Sequence, residues 1–211
     1  MASLKTITQF KSRLAGGGAR PNLFEVNIND FKFADAWDNE TFQFLCKAAA
    51  LPASTITPVE IPFRGRVLKV AGDRTFDTWA VTVINDEDFK LRTSFEQWMN
   101  GISKLSDASG ATTPNSYMGN AVVNQLGRST TRFGNTNSGE GDESGGGTPL
   151  EPLRSYYFDG IFPTEVSSID LSYESGDAIE EYTVTFQVQY WIAGSNTSTG
   201  SPSDQTGAVI V

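Results

Sequence analysis

Apolar and polar residues alternate from Phe76 to Asn85, and a period of two predicts a β-strand. Both faces of this stretch carry apolar residues, which indicates a strand that is covered on both sides for part of its length. Gly72 and Asp73 lie just upstream and are typical turn residues, so they are expected to end the preceding strand. The residues of the strand expected to face the core are Trp79, Val81 and Val83.

After Asn85 the apolar spacing changes to that of an amphipathic helix. Asn85 is expected to accept hydrogen bonds from the first free amides of this helix, and Gly101 is expected to end it. The residues predicted to face the core include Phe95 and Trp98. The strand and the helix together are therefore predicted to form the centre of the core.

A second long alternation lies near the C-terminal end, over residues 181–192. Polar residues occupy its other face, as in a sheet with one face in a core and the other in water. Its predicted core residues are Val184, Phe186 and Val188. Shorter alternations predict strands at residues 23–29, 41–47 and 168–173.

About seven to eight strands and one firm helix are predicted in total. The expected fold class is mainly β, with a β-sandwich or barrel and one α-helix packed at an edge.

The segment from residue 55 to residue 70 is predicted to form a long hairpin. Pro58 and Pro62 flank an edge-like strand, because a proline lacks the amide that a ladder requires. Arg64 and Gly65 are expected to make the turn. Composition leaves two alternatives open: an ordinary exposed hairpin, or an arm that reaches another subunit.

Three segments are expected to lie outside the main β domain of residues 20–192. Residues 1–19 form an N-terminal segment with a short helical stripe that is marginal on its own. Residues of about 128–149 form an insertion rich in Gly and Ser, and residues 193–211 form a polar tail. Both lack enough apolar residues to offset the entropy of ordering, so both are expected to be flexible.

The residue inventory disfavours an enzyme. The chain contains no histidine and one cysteine, which removes the commonest general base and any Cys/His metal site. Cys46 is expected to be a small buried residue rather than a nucleophile. No catalytic residues, metal ligands or cofactors are predicted, and no apolar run is long enough for a membrane anchor.

Charge is distributed unevenly along the chain. Residues 1–154 carry all 16 Lys and Arg against 17 Asp and Glu, a net of −1, whereas residues 155–211 carry eight acids and no Lys or Arg. The total of −9 therefore arises almost wholly in the C-terminal part. A solvated acidic face and a surface that repels an anion are both compatible with this pattern, and a basic nucleic-acid footprint is absent.

Several sequence runs resemble the tail tube proteins of T4-like contractile-tail bacteriophages, whose wider fold is shared with type VI secretion tube proteins. In chain order the runs are RPNLF at 20–24, CKAAALP at 46–52, VAGDRTFD at 70–77, WAVTVINDE at 79–87, GIFPT at 160–164 and YW at 190–191. Together they cover most of residues 20–192. The Gly-rich insertion and the long tail depart from the family, and both are expected on the outer surface.

The resemblance implies a structural virion protein whose hexameric rings stack into the inner tail tube. It implies a sheath protein outside, a baseplate and a tail terminator at the ends, and DNA that passes through the lumen without specific binding. Localisation would be the virion tail, assembled in the bacterial host cytoplasm. The alternatives are a type VI-like secretion tube and a carbohydrate-binding β-sandwich, for which Trp37 is the one obviously loop-borne tryptophan.

Two groups of residues are predicted to serve such a tube. Acids placed near the lumen would disfavour sticking of DNA phosphates; the candidates are Asp170, Glu174, Glu180 and Glu181. Apolar and basic residues with no local place for burial are candidates for contacts between subunits or rings. These are Arg20, Pro21, Ile56, Val59, Ile61, Phe63, Arg64, Arg66 and Arg74.

Overall fold

The structure is a computed structural model of the chain, and it describes residues 6, 7, 10, 18–34, 36–127, 152–173 and 179–194. Within these residues the chain is mainly β, which confirms the predicted fold class. The strands are β1 (Phe24–Ile28), β2 (Cys46–Ala49), β3 (Ser54–Phe63), β4 (Arg66–Phe76), β5 (Trp79–Ile84), β6 (Gly119–Leu126), β7 (Pro152–Val166), β8 (Glu181–Gln187) and β9 (Tyr190–Gly194). The helices are α1 (Asn39–Leu45), α2 (Lys90–Ile102) and α3 (Pro114–Tyr117).

The chain divides into two compact units. The smaller comprises residues 1–25, 124–155 and 194–211, and the larger comprises residues 26–123 and 156–193. In the smaller unit the Leu126 amide donates to the Leu23 carbonyl at 2.9 Å. The Gln125 side-chain amide donates to the carbonyls of Arg20 and Leu23, both at 2.7 Å. The division at residues 20 and 192 stays a prediction.

Seven strands form one sheet in the order β1-β6-β7-β8-β5-β2, with β9 also paired to β7. At its centre β5 and β8 are antiparallel, and Trp79 lies opposite Phe186 while Val81 lies opposite Val184. Paired residues share a face, so both strands direct their apolar positions to one side. The eight residues predicted for the core are all buried: Trp79, Val81, Val83, Phe95, Trp98, Val184, Phe186 and Val188.

Helix α2 covers this apolar face with residues spaced three and four apart, and the buried ones are Leu91, Ser94, Phe95 and Trp98. The predicted helix boundaries were wrong at both ends. Phe89 precedes the helix in a left-handed conformation, while the Asn85 side chain donates to Glu180 Oε2 at 2.9 Å instead of capping. Gly101 lies inside the helix, where a Cβ atom would collide with the Phe33 ring.

An aromatic cluster fills the space beneath α2. Phe31 stacks on Trp37 with ring centroids 3.9 Å apart and meets Trp98 edge-on at 4.5 Å. The Trp98 indole donates to the Tyr117 carbonyl at 2.7 Å. The loop-borne Trp37 therefore contributes to the core and does not form the exposed platform that a carbohydrate site needs.

The strand predicted at residues 41–47 is a correction, because most of this segment is helix α1. Asp38 caps the helix and accepts from the Glu40 amide at 3.1 Å. Phe42 and Cys46 are buried, whereas Phe44 is 80 % exposed. A spacing of four places Phe42 and Cys46 on one helical face, and over so short a run this fits the sequence as well as a strand does.

Two predictions in the C-terminal part were also wrong. Residues 168–173 are irregular, and Leu171 and Tyr173 are exposed. The single strand expected over residues 181–192 is interrupted after Gln187, and β9 then pairs with β7. Strand β7 contains Gly160 with a φ of 62°, and a glycine inside a strand is typical of a bulge or a bend.

Candidate assembly interface

The most exposed regular structure in the described residues is the β3–β4 hairpin. Its two-residue turn consists of Arg64 and Gly65, with φ of 45° and 80°. Positive φ at both central positions defines a type I′ turn, which matches the twist of the flanking strands. The predicted turn is confirmed, and it fixes Phe63 opposite Arg66 and every pair behind them.

Gly72 does not end a strand as expected, because β4 continues through it to Phe76. The register shifts between the pairs Ile56–Arg74 and Pro58–Ala71, so two residues of β4 stand opposite Thr57 in a β-bulge. A Cβ atom on Gly72 would collide with the Thr57 carbonyl oxygen. The glycine is therefore required by close approach of the two backbones.

The register gives the hairpin one apolar face. Val59 lies opposite Val70 and Ile61 lies opposite Leu68, and directly paired residues point to the same side. The exposed fractions on this face are Val59 52 %, Ile61 47 %, Phe63 66 %, Leu68 60 % and Val70 44 %. The opposite face is less apolar: it carries Val67 opposite Pro62 and the Glu60–Lys69 ion pair, with its charged atoms 3.2 Å apart.

The base of the hairpin is attached to β9. The Trp191 indole donates to the Ala53 carbonyl at 3.3 Å, and its ring meets Phe76 edge-on at 6.2 Å. Strand β3 pairs with β4 in a two-stranded sheet of their own. Ten strand residues extend about 33 Å, so the tip lies far from this anchor.

The predicted contact residues are placed as follows. Ile56, Val59, Ile61, Phe63, Arg64, Arg66 and Arg74 all lie on the hairpin and are all exposed. Arg20 and Pro21 are exposed in the smaller unit. Within the described residues, Arg64, Arg66 and Arg74 form no ion pair. Their contacts with other copies stay a prediction.

The assignment of the four predicted lumen acids stays a prediction, and those that the structure describes have different surroundings. Glu181 pairs with Lys47 at 2.5 Å, and Glu180 accepts from the Asn85 side chain. Asp170 is exposed, and Glu174 lies outside the described residues. The Lys47 ammonium offsets the charge of Glu181, and nothing in the sequence pattern signals a partner 134 residues away.

The described residues offer no sign of a reaction centre. They hold no group of three or more acidic, His or Cys residues that could bind a metal. Burial raises the pKa of the Cys46 thiol to about 12, so the thiolate that a nucleophile needs is disfavoured. No helix in this part of the chain is long and apolar enough to cross a membrane.

Chains of solved assemblies have the same fold. One is from the anti-feeding prophage baseplate, 6-fold symmetrised, with a TM-score of 0.55, 12 % identity, and coverage of 84 % of this chain and 96 % of the other. Another is from the sheath-tube complex of an extracellular contractile injection system (PVC), with a TM-score of 0.51, 13 % identity and coverage of 92 % and 100 %. These likenesses show the class of fold alone, which is a mainly β protomer.

Sequence then places the chain within that class. The profile of the family described as phage tail tube protein matches residues 19–194. The chain is 31 % identical over 177 residues to the tail tube protein gp19 of Enterobacteria phage T4, covering 84 % of this chain and 93 % of the relative. It therefore belongs to the phage tail tube protein family, as the sequence resemblance predicted. It is a structural component of the virion and not an enzyme.

Proposed function

We propose that six copies of this chain form a ring and that the rings stack into the inner tube of a contractile tail. A sheath surrounds this tube, and a baseplate and a terminator close its ends. The apolar face of the hairpin carries the proposal. A lone two-stranded sheet is marginally stable in water, and an exposed apolar patch of this kind marks an interface.

The hairpin face, together with Arg20 and Pro21, supplies the contacts between copies. Replacement of residues 60–69 by Asn-Gly keeps the Val59–Val70 pair as the flank of a new two-residue turn. This shortened chain is expected to form rings that do not stack, as seen by negative-stain electron microscopy and light scattering. Leu105→Ser is the control, because Leu105 is an exposed leucine away from the hairpin. Full-length tubes from the shortened chain would refute the assignment.

The lumen is proposed to be acidic, with contributions from Asp170, Glu174, Glu180 and Glu181. Sixfold repetition multiplies each wall charge, and at a screening length of about 8 Å the field remains strong near the wall. Repulsion keeps DNA moving, because Lys and Arg contacts to phosphates would hold it in place. Assembly in the host cytoplasm, without a membrane anchor, is part of the same proposal.

Charge reversal tests the lumen. Asp170→Lys combined with Glu174→Lys is expected to make tubes retain DNA at low salt and release it as salt rises. Glu87→Lys is the control, since Glu87 is an exposed acid that is not proposed for the lumen. Equal DNA retention by the original and reversed tubes would exclude these two acids from the lumen wall.

A further inference from the structure

A cavity of about 360 Å³ lies in the larger unit beside the bend at Gly160. Its polar lining consists of two carboxylates, three amides and a phenol, contributed by Asp30, Asp159, Asn115, Asn120, Gln189 and Tyr190. No Lys or Arg is among the described residues that line it. The cavity is therefore an acceptor-rich site that favours a cationic guest.

Asp159 is the carboxylate that is left uncompensated. The Tyr190 hydroxyl donates to Asp159 Oδ2, and the Asn120 amide, turned to donate, lies 2.7 Å from Oδ1. The hydrogen bond with Asp159 raises the pKa of Tyr190. Both donors are neutral, and no described cation pairs with Asp159. Asp30 differs, because Lys32 lies 2.7 Å from it.

The hairpin tip has the complementary charge. Arg64 and Arg66 lie within three residues of each other, and neither forms an ion pair in the described part of the chain. Glu60 is the acid nearest to the turn on β3, and it is already paired with Lys69. The Arg64 guanidinium lies over the Phe63 ring, 5.3 Å from its centre. The tip therefore presents a cation beside an apolar ring.

We propose that the cavity receives Arg64 from the hairpin tip of a second copy of this chain, with Asp159 as the residue that binds the guanidinium. A guanidinium offers five donors in a rigid fork that matches a carboxylate. The side-chain carbonyls of Asn115 and Gln189 accept from the donors that Asp159 leaves free. This inference rests on the proposed self-assembly and adds to it the site that binds the hairpin tip.

A charge swap tests the pairing. Arg64→Glu and Asp159→Arg are each expected to raise the protein concentration needed for assembly by about tenfold or more, because each places two like charges opposite each other. The double variant is expected to restore assembly. Arg66→Glu is the matched control, since it changes the tip charge equally and is not expected to be rescued by Asp159→Arg. Equal rescue of both tip variants would overturn the proposal.

Circular dichroism checks that each variant folds. If Asp159→Arg does not fold, Asp159→Asn keeps the shape of the side chain and is combined with Arg64→Gln. The double variant is then expected to assemble no worse than either single one. Additive losses would overturn the proposal, because independent sites add and contacting sites do not.

Crosslinking gives a test that separates this inference from the proposed function. Cysteines in place of Arg66 and Ser116 leave the proposed pair and its acceptors intact, because Ser116 is exposed beside the cavity and does not line it. A short bis-maleimide is expected to join neighbouring copies into covalent dimers and longer ladders. Cysteines in place of Leu105 and Ser116 are the control and are expected to give none. Tubes without crosslinks would show that the cavity does not bind the hairpin tip, and the proposed function would still stand. A chain that remains monomeric in every condition would overturn both.

Discussion

Two strand pairs of this molecule carry the same alternation of apolar and polar residues, yet only one of them is buried. Trp79, Val81 and Val83 of β5 are at most 1 % exposed, whereas Val59 and Ile61 of β3 are about half exposed. The difference lies in what covers each face. Strand β5 lies between β8 and β2 in the sheet, and α2 covers its apolar face. The hairpin is a two-stranded sheet of its own, and its apolar face is exposed to water. An alternation of apolar and polar residues thus predicts a strand, but it does not predict whether the same chain or another molecule covers the apolar face.

The largest expected effect on folding stability comes from a substitution in the buried core beneath α2. Trp98→Ala removes a side chain that is 0 % exposed and that packs against Phe31 and Phe186. We expect the free energy of unfolding to fall by about 3–5 kcal/mol, because a large cavity remains. Urea denaturation of the monomeric chain measures this, and a loss below about 1 kcal/mol would show that α2 does not hold the core together.

An intermediate effect on folding stability is expected at Cys46, the first residue of β2. Burial raises the pKa of its thiol to about 12 from an ordinary value of 9.0. The folded state therefore favours the neutral thiol, and the unfolded chain ionises first. Stability from this site is complete below about pH 9 and is lost as the pH rises from there towards 12.

Alkylation provides the direct measurement for Cys46. At pH 8 iodoacetamide is expected to label the thiol slowly in the folded chain and quickly in urea. Cys46→Ser removes both signals and serves as the control. Equal labelling rates in the two states would contradict the burial of this thiol.

The smallest effect on folding stability is expected from substitutions on the exposed apolar face of the hairpin. The same substitutions are expected to abolish assembly. Ile61→Ser combined with Leu68→Ser alters one cross-strand pair of the exposed face. We expect the free energy of unfolding to change by no more than about 0.5 kcal/mol, as for surface substitutions in general, and tube formation to be lost. Sedimentation and denaturation of the same sample measure both.

The control for this variant lies on the opposite face of the hairpin. Glu60→Gln combined with Lys69→Gln removes an exposed ion pair whose contribution is expected to be small. Tubes should still form. If the two double variants impair assembly equally, the apolar face is not the contact surface.

Much of the fold could be predicted because its determinants are local. The period of two in β5 and β8 identified the core faces, and the Arg64–Gly65 turn fixed the hairpin register. Helix α1 was missed because a run of seven residues satisfies both periods, and only the Asp38 cap distinguishes them. The break after Gln187 was missed because the apolar alternation continues through Val188, Tyr190 and Ile192.

The candidate site could be predicted only in part. The hairpin residues are contiguous, so their unburied apolar content is visible in sequence. The cavity around Asp159 brings together residues from four separate parts of the chain, namely Asp30, Asn120, Asp159 and Gln189. No spacing rule connects such residues, and the Lys47–Glu181 pair escaped prediction for the same reason.

The prolines of β3 have a consequence for the chain before it assembles. Pro58 and Pro62 carry no amide hydrogen, so an intruding strand would find two of the donors missing along this border. Sheet growth from monomer to monomer, the usual route to amorphous or fibrillar aggregates, is thereby discouraged. The β3 edge of a free protomer is therefore a poor template for pairing, although the protomer displays an exposed apolar face. Tubes then grow when the apolar face of one hairpin docks on another protomer, and not when two strand edges pair by chance.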